Sequence, residues 1–403
     1  MLRDWRSLAA LFFLTSTLES MAMGHLSAFT PLYLREFGLQ PEEIARLTGL
    51  LAALMMGVAF PLAPLWGAIA ERYARKPVVL RSQLVEAVAF TLLAVAPDLT
   101  WVVISRLLLG LSFGNVSVLI ATQTLLTPSP RLGSAIATVQ AAMPIAASIG
   151  PPLGAALLPQ LGPRGLFLLD AVGCLTAALL IAVFMPEPDT PRSSTHVLRA
   201  AGQTIARVWH RPPLRWNFVA WFLTRGALAV LSAYIPVQIV HLVEDPAPAI
   251  GLVLGVYGLI MAAATWLGGM FVDRIGPTRL YRPAMMAGAL AGLGVALAPS
   301  LPVLAVFVWL AAVPLALTGT ILYTHLARVL QPSERTPVLS LTPFPRNTAM
   351  FALPALASLI AGFGPGAALL LAAIAYAGAA AVGWQLRAAS TVRLAEDDAP
   401  GRT

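Results

Sequence analysis

Charge is scarce in this chain and cysteine scarcer still. Only 11% of its 403 residues are charged, and Cys174 is the one cysteine. A lone thiol excludes a disulfide within the chain and a cysteine-based metal site, and inside an apolar run it reads as a small buried residue. The sequence also lacks a Gly-x-x-x-x-Gly-Lys-Ser/Thr phosphate loop, a zinc-binding His-Glu-x-x-His helix and a serine nucleophile elbow. No apparatus for ATP-driven work or catalysis is visible, so neither an enzyme nor a cofactor or metal is expected.

What fills the chain instead is hydrocarbon. Apolar residues make up 58% of it, and the mean hydropathy is +0.80, far above what a soluble core needs. A window of about 19 residues finds apolar stretches near 8–33, 44–70, 78–96, 101–126, 133–158 and 164–186. Six more lie near 214–241, 249–272, 280–299, 303–329, 336–361 and 365–387. The expected fold is an all-α membrane protein of twelve transmembrane helices in two sets of six. Met1 to Arg6 and the apolar run behind them are too long for a cleaved secretory signal and read as the first helix.

The net charge of +8 would suit a nucleic-acid partner if the bases formed a patch, but they alternate by loop. Arg3, Arg6, Arg72, Arg75, Lys76, Arg81, Arg131, Arg274, Arg279, Arg282, Arg328 and Arg335 fall on one side, whereas the opposite loops hold only Arg35, Arg46 and Arg164. This bias places both termini in the cytoplasm and points to anionic lipid rather than nucleic acid.

Residues 1–186 and 214–388 thus form two bundles. The joining segment 187–213 opens with the proline-rich run Pro186-Glu-Pro-Asp-Thr-Pro and continues as a short amphipathic helix, with Val197, Ala201, Ile205, Val208 and Trp209 on one face. It reads as a cytoplasmic strap. The tail 389–403, with Glu396-Asp-Asp398, reads as disordered.

The halves repeat one another. Gly67-Ala-Ile-Ala-Glu71-Arg72-Tyr-Ala-Arg75-Lys76 returns 202 residues later as Gly269-Met-Phe-Val-Asp273-Arg274-Ile-Gly276-Pro-Thr-Arg279, each copy closing a long apolar segment. This pattern resembles that of the major facilitator superfamily, Gly-x-x-x-Asp-Arg-x-Gly-Arg-Arg/Lys, and the resemblance covers nearly the whole chain. It implies two pseudo-symmetric six-helix bundles and a gate in which Gly67, Glu71, Arg72, Arg75, Lys76, Gly269, Asp273 and Arg274 tie helix ends together in one conformational state. The first copy departs from the pattern at Glu71 and at Ala74, where a glycine is usual. The alternative is that these bases only set topology.

Two further segments resemble the antiporter branch of that family. Arg106-Leu-Leu-Leu-Gly110-Leu-Ser-Phe-Gly114 resembles its arginine-glycine motif, which implies that Arg106 tunes a nearby proton-carrying acid; at helical spacing Arg106, Gly110, Phe113, Ser117 and Thr124 share a face. Gly150-Pro151-Pro152-Leu153-Gly154 resembles the glycine-proline signature, although Ala137, Ala146 and Ala155 stand where it has glycines. The Gly110–Gly114, Gly150–Gly154, Gly251–Gly255 and Gly288–Gly292 pairs equally fit close helix packing.

Ionisable groups inside spans carry the chemistry, because lipid makes them costly unless they are paired or wetted. Glu19 lies near the middle of the first span, where the resemblance to drug efflux proteins implies an acid, and is the candidate to exchange a proton for substrate. Aligning Pro31 with Pro236 puts Arg225 opposite Ser20, and Arg346 is a further base near mid-depth in a proline-loosened helix. Both arginines suit substrate contact or structural pairing. Phe113, Gln140, Tyr257 and Tyr323, with Trp221, are candidates to line the cavity. Glu86, Gln83, Asp170 and His325 rank behind, and His25 and His325 read as satisfied interior histidines.

The combined expectation is a monomeric secondary transporter of a bacterial inner membrane, exporting amphipathic drugs against protons by alternating access. A metabolite or organic-anion carrier is the alternative, and a non-transporting membrane receptor a more distant one.

Overall fold

The computed structural model describes residues 4–72, 74–187, 208–331, 338–339 and 341–397. The described residues form helices: α1 (Trp5–Arg35), α2 (Pro41–Arg72), α3 (Arg75–Val95), α4 (Leu99–Ser112), α5 (Asn115–Leu126), α6 (Leu132–Gln140), α7 (Ala142–Phe184), α8 (Pro212–Leu242), α9 (Pro246–Ile275), α10 (Pro277–Ala296), α11 (Leu301–Val329), α12 (Pro343–Ile360) and α13 (Pro365–Asp397). Among them are nine stretches long and apolar enough to cross a membrane. The longest, Leu132–Phe184, has 53 residues, more than twice what a bilayer needs, and α7 breaks within it at Gly162 (φ 63°). With that break and the less apolar α10 and α12, the arrangement fits a twelve-span pattern.

The chain divides into two compact units, one of residues 1–195 and 236–259, the other of 196–235 and 260–403. Most of the strap, 188–207, lies outside the described residues. At its end Val208 is buried with Leu214, Phe218 and Leu326, while Trp209 is exposed, so the two do not share the face the spacing suggested. The tail needs a correction too. Helix α13 runs on to Asp397, because Ala388 to Asp397 holds good helix formers and no glycine or proline.

In the first unit, apolar packing is arranged in two layers with a polar layer between them. The two clusters follow one order along α1 and α3 and the reverse order along α4–α5 and α7. One layer takes Leu8 and Phe12 of α1, Val78 and Val79 of α3, Val118 and Leu119 of α5 and Ile181 of α7. The other takes Ala22, Leu26 and Tyr33, then Phe90 and Leu93, Val102 and Leu109 of α4, and Phe167 and Cys174. Glu19, Gln83, Glu86 and Asn115 fall in between. Large apolar side chains such as Val88, Leu179, Leu290 and Leu359 are turned outward, as a lipid-facing surface requires.

Lipid gives helices little apolar reason to associate, so close approach and polar bonds hold the bundle. Tyr33 donates to the Leu93 carbonyl at 2.6 Å, Ser105 to Ala89 at 2.6 Å and Gln123 to Trp5 at 3.0 Å. Bonds of this kind are worth about 0.6 kcal/mol each, and up to ~2. At the end where α1 and α3 finish, Arg164 reaches Glu36 at 2.8 Å and the Ala96 carbonyl at 2.9 Å.

Each of the glycine pairs has at least one member at a close helix approach. A Cβ at Gly110 would lie 2.5 Å from the Met55 carbonyl, at Gly255 2.5 Å from Pro152, and at Gly288 2.8 Å from Tyr376. At Gly154 it would fall 2.5 Å from Phe29 and 2.8 Å from His25, so only hydrogen lets α1 and α7 meet there. Gly154→Val should therefore cost about 1–3 kcal/mol, read as a lower melting temperature of the purified protein. Gly173→Val, at a place with nothing within 4 Å, should stay within about 0.5 kcal/mol.

Candidate functional site

Glu19 stands near the midpoint of α1, half-buried in the polar layer. Its Oε2 accepts hydrogen bonds from Gln83 Nε2 at 2.9 Å and Asn115 Nδ2 at 2.5 Å. Both amides are buried. Glu86 is one turn on from Gln83 in α3, 1% exposed, with the Cys174 thiol 3.8 Å from its carboxyl.

Asn115 reaches Glu19 because the fourth span is broken. α4 stops at Ser112 and Gly114 turns through φ 111°, a left-handed conformation that glycine alone enters freely, before α5 begins. A break inside lipid leaves carbonyls without their helical partners. Here α3 supplies the donors: Arg81 bonds the Leu111 carbonyl at 2.7 Å and that of Ser112 at 3.1 Å, and Ser82 bonds Ser112 at 2.5 Å. The Arg81 guanidinium also lies 3.4 Å from the centre of the Trp66 ring. Arg81, which the charge bias suggested as a topology-setting base, is thus part of the site's framework. The same break overturns the expected shared face: Arg106 and Gly110 are buried, but Ser117 beyond Gly114 is exposed.

Arg106 is not beside Glu19. Its Nη2 donates to Thr30 Oγ1, eleven residues further along α1, or about 16 Å at 1.5 Å per residue. Sequence reasoning placed it by motif alone, without knowing how α4 is set against α1.

A second polar pair joins α1 to α7. His25 Nδ1 lies 2.8 Å from Asp170 Oδ1, and its Nε2 lies 3.0 Å from the Gly150 carbonyl, so the glycine-proline segment is tied to α1 through a buried imidazole. His25 is satisfied, as expected. So is His325, whose Nδ1 is 3.1 Å from Asn217 Nδ2. Pro151 and Pro152 sit inside α7.

The proposed cavity residues are distributed between the units. In the second, Trp221 is fully buried and takes both guanidinium groups, Arg225 at 5.2 Å and Arg346 at 5.5 Å from the ring centre. Tyr323 meets the indole edge-on at 4.9 Å and accepts a bond from Arg346 Nη1 at 3.3 Å. Arg346 lies on the first turn of α12, not in mid-helix, because Pro343 and Pro345 have no N–H with which to extend a helix through them. In the first unit, Phe113 ends α4, Gln140 is exposed at the end of α6, and Tyr257 is half-buried in α9.

Of the gating residues, the side chains at 67, 71 and 72 lie outside the described residues. Arg75 and Lys76 begin α3, and their backbone N–H groups bond the Glu187 carboxylate at 2.7 and 2.8 Å. An acid does face a helix amino end, but it comes from the segment after α7; Glu187 was missed because nothing in its own motif marks it. In the second copy Asp273 and Arg274 are exposed at the end of α9, and Gly276 turns at φ 91° into α10. Ala74, the counterpart of Gly276, is extended (φ −165°), so the two turns differ.

Comparison with known proteins follows the same lines. The family model described as Major Facilitator Superfamily matches residues 11–301. The multi-drug resistance efflux pump PmrA of Streptococcus pneumoniae is 25% identical over 69% of this chain and 70% of its own. The multidrug resistance protein MdtG of Serratia proteamaculans is 28% identical over 69% and 68%. A bacterial homologue of the human lysosomal transporter Spinster, solved inward-facing and unoccupied, superposes with a TM-score of 0.75 at 16% identity, covering 97% of this chain and 96% of that one.

Arg81→Ala should destabilise the protein by about 2–4 kcal/mol, since it leaves the Leu111 carbonyl unpaired and strips the Trp66 ring. Thermal unfolding in detergent would read this, and Arg81→Lys should recover less than half of the loss. An unchanged melting temperature would reduce Arg81 to a topology signal.

Proposed function

Because the chain belongs to the major facilitator superfamily, whose members carry small molecules across membranes and are not enzymes, we propose that it is a proton-coupled exporter of amphipathic compounds, with Glu19 as the proton carrier. The observation that carries this reading is one carboxyl, half-buried between two apolar layers, held by two amide donors and by no cation among the hydrogen bonds and ion pairs described. An acid fixed in an ion pair would keep its charge; one held by amides can take up a proton and keep its place. Both amides bond Oε2, which can accept as a carboxylate oxygen and, more weakly, as the carbonyl oxygen of the acid, so the proton can reside on Oε1 without breaking either bond.

Efflux names among relatives at 25% and 28% identity support the direction. In the proposed cycle two bundles, 1–186 and 214–388, rock about a central site. The strap and both termini lie in the cytoplasm of a bacterial cell, and the protein works as a monomer in its inner membrane. Glu86 and the His25–Asp170 pair are further proton-bearing groups in the first unit.

The test is collapse of a pH gradient in everted membrane vesicles by a panel of amphipathic compounds. Glu19→Gln keeps the volume and both amide partners but cannot carry the proton, and should lower substrate-driven collapse at least about tenfold while substrate binding survives. Undiminished collapse in this variant would remove Glu19 from the coupling step and turn attention to Glu86.

A further inference from the structure

The outer surface of the second unit carries a feature that plays no part in the Glu19 layer. Helices α10 and α13 run side by side, pressed together through Gly288 against Tyr376 and Gly292 against Ala373. The close approach continues to Gly383, where a Cβ would lie 3.2 Å from Arg282 Cβ and 3.2 Å from the Tyr281 ring. Beside that glycine is a hollow of about 280 Å³, whose walls include Thr278, Arg279, Arg282 and Met286 of α10 and Gly383 and Trp384 of α13.

Depth and charge decide what can enter it. Arg279 and Arg282 lie in the first two turns of α10, and Trp384 comes just before Leu386, where the apolar part of α13 ends. All three stand at a membrane boundary, where arginine and tryptophan side chains bridge hydrocarbon and headgroups. The positive charge there is not balanced from within. Helix α10 holds no acid, and α13 holds none before Glu396, about 18 Å of helix beyond Trp384. Asp273, the nearest acid in sequence, is exposed at the end of α9 and pairs with neither arginine. Neither guanidinium has an ion pair or a hydrogen bond among the described residues. Arg282 lies instead 4.0 Å from the centre of the Trp384 ring, a stack that orients the guanidinium and leaves its charge and its N–H groups available.

The surroundings of the hollow are those of a lipid. Trp384 is 57% and Met286 49% exposed, and Leu290 and Leu297 continue the outward apolar row along α10. A guest bonded to the arginines therefore meets hydrocarbon surface directly beside them. A soluble anion would use the charge and waste that surface, and a zwitterionic headgroup would bring its own cation to two others. A lipid with net negative charge uses both. We propose that the hollow holds the phosphate group of an anionic phospholipid, bonded by Arg279, Arg282 and Thr278, with an acyl chain along Met286 and Leu290. The charge bias of the loops makes the leaflet cytoplasmic. The site is independent of the export reading, whose failure would leave it standing.

The full chain would be purified in dodecylmaltoside and equilibrium binding measured with radiolabelled dioleoylphosphatidylglycerol and dioleoylphosphatidylcholine. Phosphatidylglycerol should bind at least about tenfold more tightly than phosphatidylcholine. Arg279→Ala and Arg282→Ala should each weaken phosphatidylglycerol about fivefold, and Arg282→Lys, which keeps the charge but loses the planar stack on Trp384, should fall in between. Arg279 is exposed, so its variant keeps the test open even if Arg282→Ala does not fold. Arg131→Ala removes an equal, exposed charge from the first unit and should leave the affinity within about twofold.

Inorganic phosphate separates the lipid from a soluble anion of the same chemistry. Phosphatidylglycerol that stays bound in a large excess of inorganic phosphate supports the lipid; displacement of more than half of it would reassign the hollow to a soluble phosphate and overturn the proposal. Equal affinity for the two lipids would also overturn it, as would phosphatidylglycerol binding unchanged in both alanine variants. So would an equal loss in Arg131→Ala, which would reduce the effect to overall charge.

Discussion

A backbone that breaks inside lipid must find partners for the carbonyls it releases, and much of the first unit follows from how this chain meets that demand. Between Ser112 and Asn115 the fourth span gives up its helical ladder, and Arg81 and Ser82 of α3 take over the released oxygens. That solution fixes several things at once. It sets the depth of α3 against α4, holds Arg81 against Trp66, and turns Asn115 toward α1, where it meets Glu19 together with Gln83. The polar layer lies at one level because the break lies at that level, and the apolar clusters on either side are the uninterrupted parts of the same helices.

The two halves share an ancestral pattern but have diverged in charge. Inside the first unit the acids within the spans are the half-buried Glu19 and the buried Glu86 and Asp170, with Arg106 bonded to Thr30 and His25 set against Asp170. Inside the second unit the corresponding helices carry Arg225 and Arg346. The repeat motifs have diverged as well, since Ala74 is extended where Gly276 adopts positive φ. Duplicated bundles kept as copies would present one chemistry twice. Here, among the described residues, the first half gathers carboxyls inside its spans and the second gathers guanidinium groups on one indole.

How much of this could be read from the chain depends on whether the signal is local. Apolar length marks the helices directly, so the membrane class, the long spans and the repeat at Gly67 and Gly269 were legible. Glu19 was legible because an acid in the middle of an apolar run has no local excuse. Arg106 satisfied the same criterion and misled, because its partner is set by how α4 crosses α1, which no spacing within α4 encodes. Arg81 and Glu187 were overlooked for the complementary reason: each looks like an ordinary base or acid at a span end, and only the distant carbonyls or N–H groups they satisfy reveal a role. Gly114 was read as part of a helix-packing pair, since a packing glycine and a breaking glycine are the same residue in sequence. Its neighbour Asn115, a residue that readily bonds nearby backbone and so suits a helix start, was the cue that could have distinguished them.

The Glu19 arrangement also bears on why the acid is held by amides and not by Arg106, which motif reasoning supplied as its companion. An arginine in contact would hold the carboxylate ionised through any change of state, because in a low-dielectric setting the loss of an ion pair costs far more than the loss of a neutral hydrogen bond. Gln83 and Asn115 bond the carboxyl in either form, the carboxylate more strongly, so they fix where it is without tying it to a counter-charge. In the proposed cycle that separation matters: the rocking of the bundles is free to respond to occupancy, because the carboxyl that senses occupancy is anchored to its own unit in every protonation state.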